Sequence, residues 1–89
     1  MKAIVTVIGK DQVGIIAAVC IALSSRRINV LDISQTVLQD YFTMIMLADL
    51  TACDLSFADL SAQLHEMGKA QGLEIRIQRE DIFNAMHRI

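Results

Sequence analysis

The chain has 89 residues, eight Lys or Arg against ten Asp or Glu, no Pro and only four Gly. That length is room for one small domain, residues 1–89, and a net charge of −2 creates no basic field for nucleic acid or anionic lipid. A hydrophobic content of 54% and a mean hydropathy of +0.46 exclude a disordered chain.

Such apolar content is high for a domain that buries only about 60–65% of its unfolded surface. The longest apolar run, Ile15 to Leu23, is far short of the roughly 20 residues that span a bilayer. The start, Met1-Lys2 and then Ala3 to Ile8, is too short for a signal peptide. The surplus therefore points to self-association, and the expectation is a cytoplasmic protein, at least dimeric, with no membrane partner. Cys20 and Cys53 match no metal spacing and read as two reduced thiols.

Ala3 to Ile8 is β-branched and apolar on both alternations, which predicts a central strand. Gly9-Lys10-Asp11 breaks it, and Asp11 is the N-cap candidate for a helix over 12–27. Within that helix Ile16, Val19, Cys20 and Leu23, with the stem of Arg27, share one face; Ile15, Ala18, Ile21 and Ala22 lie off it. Arg26 and Arg27 stand where the helix dipole favours cations. Ile28 to Leu38 reads as a second strand with Asp32, Ser34 and Thr36 on one side. Gln39-Asp40 connects it to a third, Tyr41 to Leu50, with Phe42, Met44, Met46, Ala48 and Leu50 on one face. Ser56-Phe57-Ala58-Asp59 resembles a capping box and opens a second helix whose inner face is Phe57, Leu60, Leu64 and Met67. Gly68 and Gly72 end that helix region. Leu73, Ile75 and Ile77 alternate with Glu74, Arg76 and Gln78 in a fourth strand, and Glu80 to Ile89 predicts a short terminal helix carrying Ile82, Phe83 and Met86.

The order is β-α-β-β-α-β plus a tail. Right-handed crossovers then give an α+β, ferredoxin-like βαββαβ sandwich: an antiparallel four-stranded sheet in the order 4-1-3-2, with both helices on one face. The edge strand over 28–38 has no Pro, Lys or Arg to block pairing. It lies beside a first helix with apolar surface to spare. A homodimer through strand 28–38 and helix 12–27 follows.

Gly9-Lys10-Asp11-Gln12-Val13-Gly14-Ile15 joins the first strand to the first helix, and the first helical amides there form an anion site. Gly14 in the first helical turn costs about 1 kcal/mol relative to Ala. Either a ligand's close approach or the packing of helix on sheet accounts for that. Asn29 opens the edge strand, where Asn is disfavoured, with an amide that both donates and accepts; a turn residue closing the helix is the plainer reading.

Asp11-Gln12-Val13-Gly14-Ile15-Ile16, with Asn29 in Ile28-Asn29-Val30, resembles the signature of ACT domains, and the likeness spans the chain. It is greatest to stand-alone single-ACT-domain bacterial proteins, where Asp32 to Thr36 and Tyr41 to Met44 also look typical. Val13 stands where a Pro is common. ACT domains are small modules that bind amino acids and regulate metabolic enzymes. The resemblance implies a non-enzymatic sensor whose ligand, a small amino acid or related metabolite, sits at a homodimer interface against Asp11, Val13, Gly14, Ile15 and Asn29, and whose state is passed to a partner protein.

Other readings stand beside it. A ligand-free structural adaptor would dock a partner through the dimer and the tail. An acylphosphatase-like enzyme would need an Arg in the first loop, which offers only Lys10. No catalytic set, metal site or cofactor motif is visible, and the stacking aromatics of an RNA-recognition sheet are missing. His65, His87 and the methionines read as surface and core residues.

Overall fold

The computed structural model describes residues 1–10 and 14–81. Four antiparallel strands form one sheet, β1 (Lys2–Lys10), β2 (Asn29–Leu38), β3 (Tyr41–Asp49) and β4 (Leu73–Arg79), in the order β2-β3-β1-β4. Helices α1 (Ile15–Ser25) and α2 (Phe57–Ala70) are the two crossovers. This is the expected ferredoxin-like topology. The largely apolar β1 is central, flanked by β3 and β4 over almost its whole length. Ala3, Val5 and Val7 meet Phe42, Met44, Met46 and Ala48 beneath Val19 and Leu23 of α1 and Leu60 and Leu64 of α2. No polar or charged side chain is buried among the described residues.

The second helix starts as its sequence predicts: the Ser56 hydroxyl accepts the Asp59 N–H at 3.1 Å. Its end does not. Gly68 lies inside α2 and is buried, and the turn into β4 is made at Gln71 and Gly72, the latter with φ 73°.

Helix α1 differs more. It begins at Ile15, not residue 12, and the residue before it is Gly14 in the left-handed conformation, φ 85° and ψ 6°, with no side-chain cap. Gly14 therefore stands outside the first turn; Asp11, the expected cap, lies outside the described residues. The buried face is Ile15, Val19, Ala22 and Leu23, whereas Ile16, Ala17 and Ile21 are exposed and Cys20 is half-buried. The face is rotated by about one residue from expectation because α1 is apolar all round from Ile15 to Leu23, with no polar residue there to mark its outer side. Arg27 is exposed and contributes nothing to the core. Arg26 does serve the helix end, its Nη1 donating to the Ala22 carbonyl at 2.7 Å and its Nε to Gln63 Oε1 at 2.9 Å.

The β2–β3 register slips between Val30 and Asp32, leaving Leu31 as a bulge. A bulge is one of the devices that limit edge pairing, so the edge is not as unguarded as its lack of Pro and Lys suggests. The tail helix expected over 80–89 falls, beyond Asp81, outside the described residues, and His87 with it. Among the described residues no helix is long and apolar enough to cross a membrane.

Candidate functional site

The loop that ends β1 delivers the chain to α1 through Gly14. The Ala18 N–H donates to the Gly14 carbonyl at 2.9 Å, which fixes the first turn. Helix geometry then leaves the N–H groups of Ile15, Ile16 and Ala17 outside the intrahelical ladder and pointing back at the loop. The dipole adds partial positive charge there, and nothing acidic sits in the first turn. A cationic Lys10 ends the preceding strand and is exposed. Ile15 offers only its amide, because its side chain is 4% exposed and belongs to the core. Gly14 has open space around the position a Cβ would take, so its requirement is conformational rather than one of close packing. Asp11 and Val13 lie outside the described residues.

Asn29 is exposed at the start of β2. Its register partner is Asp49, which in turn pairs with Lys2, at the far end of the sheet from Lys10, which pairs with Tyr41 beside Leu38. Eight strand steps separate the two ends, roughly 26 Å at 3.3 Å per residue. Gly14 and Asn29, adjacent in the sequence motif, are thus at opposite ends of α1 within one chain.

Asp49, which the sequence did not single out, shapes the Asn29 end. Its Oδ1 accepts the Thr51 N–H at 2.9 Å and the Thr51 hydroxyl at 2.6 Å. These bonds, the side-chain one first, hold its carboxyl below its ordinary value. Only the strand register reveals it as the neighbour of Asn29.

No group of three or more His, Cys, Asp or Glu among the described residues is arranged to hold a metal. Cys20 and Cys53 are free thiols. A cleft of about 850 Å³ follows the outer edge of β4, lined by Phe57, Ser61 and His65 of α2 on one side and by Ile4, Thr6 and Arg76 on the other. It includes none of the motif residues, and its His65 is exposed without a nucleophile-base-acid set around it.

A family model described as the ACT domain matches residues 2–78. The chain belongs to the ACT domain family. A UPF0237 protein of Clostridium acetobutylicum is 57% identical over 89 residues, covering all of both chains. Among solved structures, an ACT domain protein from Streptococcus pneumoniae is 40% identical, with 98% of each chain covered and a TM-score of 0.84. A formyltetrahydrofolate deformylase of Pseudomonas putida has the same fold over 91% of this chain and 29% of its own, at 18% identity and a TM-score of 0.79. ACT domains are commonly small-ligand regulatory modules, and nothing in this family membership indicates an enzymatic activity.

Proposed function

We propose that this chain is a regulatory module that binds a small amino acid or a related metabolite across a homodimer interface and passes its state to a partner protein. The observation that carries the reading is the separation of Gly14 from Asn29. Neither Gly14 nor Asn29 lines the cleft along β4 or the smaller one at the end of α1. Antiparallel pairing of β2 with β2 of a second copy would bring each Asn29 to the opposite copy's helix start. The bulge at Leu31 confines regular pairing to Asp32–Leu38, so the two-fold falls at Gln35 and sets Asp32 against the partner's Leu38. The partner's Asn29 then lies past the hairpin, at the end of the sheet from which the chain enters α1.

The ligand's carboxylate is held by the N–H groups of Ile15 to Ala17, and its ammonium by the side-chain amide oxygen of the partner's Asn29, with Asp11 the further acceptor that the motif offers. Ile21, 68% exposed on α1, and Val37, 53% exposed on the helix side of β2, supply the apolar contact around the edge. A ligand that touches two chains favours the paired state, which is what regulation requires.

The test is a thermal-shift screen of the twenty amino acids. At 100 times its Kd a ligand adds about 2.7 kcal/mol of stability, which raises the melting temperature by several degrees. Asn29→Ala abolishes that shift while the unliganded melting temperature stays where it was, since Asn29 is exposed. No shift with any amino acid at millimolar concentration overturns the reading.

A further inference from the structure

Helices α1 and α2 cover one face of the sheet, and no other described element covers the opposite one. Cross-strand partners share a face, so the registers map the open one. Along β3 it presents Tyr41, Thr43, Ile45, Leu47 and Asp49. Along β1, partnered with these in the same order, stand Lys10, Ile8, Thr6, Ile4 and Lys2. Ser34 and Asp32 border it on β2, and Glu74 and Arg76 on β4. An antiparallel sheet with one solvated face carries polar residues there. Here the two central strands carry an apolar centre, with Ile45 44% and Ile8 39% exposed, and charges at its ends. That is the layout of an interface: apolar in the middle, polar at the rim.

The charges select an occupant. A two-fold axis parallel to the strands, between β1 and β3, lays β3 of each copy over β1 of the other, row upon matching row. Ile45 then meets the partner's Thr6 and Leu47 the partner's Ile4. Asp49 meets the partner's Lys2, and the Tyr41 ring meets the partner's Lys10 ammonium. At the margin Arg76 meets the partner's Ser34, with the partner's Asp32 one row away. The other in-plane axis, across the strands, would stack Lys10 on the partner's Lys2 and one Arg76–Glu74 ion pair on the other, a poorer match of charges. Four strands about 4.8 Å apart and roughly 26 Å long bury on the order of 1,000 Å² in total, the lower bound for a specific contact. The hollow where Ile4 and Thr6 line the β4 cleft is where Ile45 and Leu47 of the other copy would seat.

We propose that two copies of this chain stack through the sheet faces that the helices leave open, about a two-fold axis parallel to the strands. This contact goes beyond the ligand-bridged pairing of β2 edges and does not rest on it. The two axes do not intersect, so both contacts together would propagate an open array, and a closed particle uses one of them.

Sedimentation equilibrium on the full chain, from micromolar to submillimolar concentration, separates the two. Ile45→Arg is expected to raise the dissociation constant at least about tenfold with the circular dichroism spectrum unchanged. Gln35→Pro, which spoils the β2 edge, leaves face association intact. A mixture of Ile45→Arg and Thr6→Glu chains, each failing to self-associate, forms a heterodimer, because Arg at 45 of one faces Glu at 6 of the other. The proposal is overturned if Ile45→Arg associates as the unaltered chain does, if the unaltered chain stays monomeric throughout, or if the mixture does not associate. A melting temperature lowered by Ile45→Arg at unchanged mass also overturns it, since the face would then serve the fold of a single chain rather than its association.

Discussion

Four described positions adopt a left-handed backbone in which glycine is favoured, and only two of the four are glycine. Gly14 has φ 85°, Gly72 φ 73°, Arg27 φ 59° and Gln39 φ 54°. At Arg27 the pattern is a Schellman motif: the Ile28 N–H donates to the Leu23 carbonyl and the Arg27 N–H to the Ser24 carbonyl, both at 3.0 Å. Gly is the usual occupant there because any Cβ costs about 1–2 kcal/mol in this conformation. Opposite signs follow. Gly14→Ala should lower stability by about 1 kcal/mol, and Arg27→Gly should raise it by about 0.5–1 kcal/mol once glycine's greater freedom in the unfolded chain is subtracted. Urea unfolding measures both, and a stabilising Gly14→Ala would contradict the left-handed turn. Asp49 supplies a pH test. Its carboxyl is held below its ordinary value of 3.8 by the Thr51 bonds. Its stabilisation is therefore complete above that value and is lost as pH falls through the lowered one. The melting temperature of Asp49→Asn should lie below that of the unaltered chain by a constant amount from pH 5 to 8, and the gap should close below about pH 4. A gap that persists at pH 2 would show that the carboxylate is not its source.

Among the elements, α2 and β4 approach each other closely, backbone to backbone, at Gly68. A Cβ on Gly68 would stand 2.8 Å from the Leu73 carbonyl oxygen and 2.9 Å from Ile75 Cγ1. Alanine is the better helix former by about 1 kcal/mol, but a backbone oxygen cannot step aside as a side-chain tip can. Gly68→Ala should therefore destabilise by about 1–3 kcal/mol, as overpacked sites do, against the sign that helix propensity alone predicts. Chemical denaturation decides between them. What made elements legible in the sequence was contrast. Leu73, Ile75 and Ile77 alternate with Glu74, Arg76 and Gln78 in β4, and Ser56 stands where only a cap would, so β4 and the start of α2 were readable. Where contrast is lacking, reading fails. Helix α1 is apolar on every side, so its buried face could not be phased. Gly68 as a close contact and Gly14 as a left-handed residue look alike on paper, since glycine records only the absence of a side chain. The bulge at Leu31 has no local mark at all, and neither does the pairing that sets Asp49 beside Asn29.

At the scale of the whole molecule, the extents of 34 × 33 × 20 Å describe a slab two layers thick, helices on a sheet. A third layer would be needed to cover both sheet faces, and the described residues do not supply one. The motif residues follow from the same geometry: a crossover helix separates what it connects, so Gly14 and Asn29 of one chain stay a helix length apart, and a site using both must use two chains. Both contacts inferred above, the β2 edge and the open sheet face, thus express one property, a chain with more apolar surface than its own core absorbs. If either forms, folding and association are linked, and the melting temperature depends on protein concentration. Each tenfold rise in concentration moves the association balance by about 1.4 kcal/mol, which for a domain of this size is a shift of several degrees. Calorimetric scans over two decades of concentration should show that rise in the unaltered chain. Variants carrying both Gln35→Pro and Ile45→Arg should melt at one temperature throughout. A flat profile for the unaltered chain would mean that the slab is stable alone, and that neither surface is used.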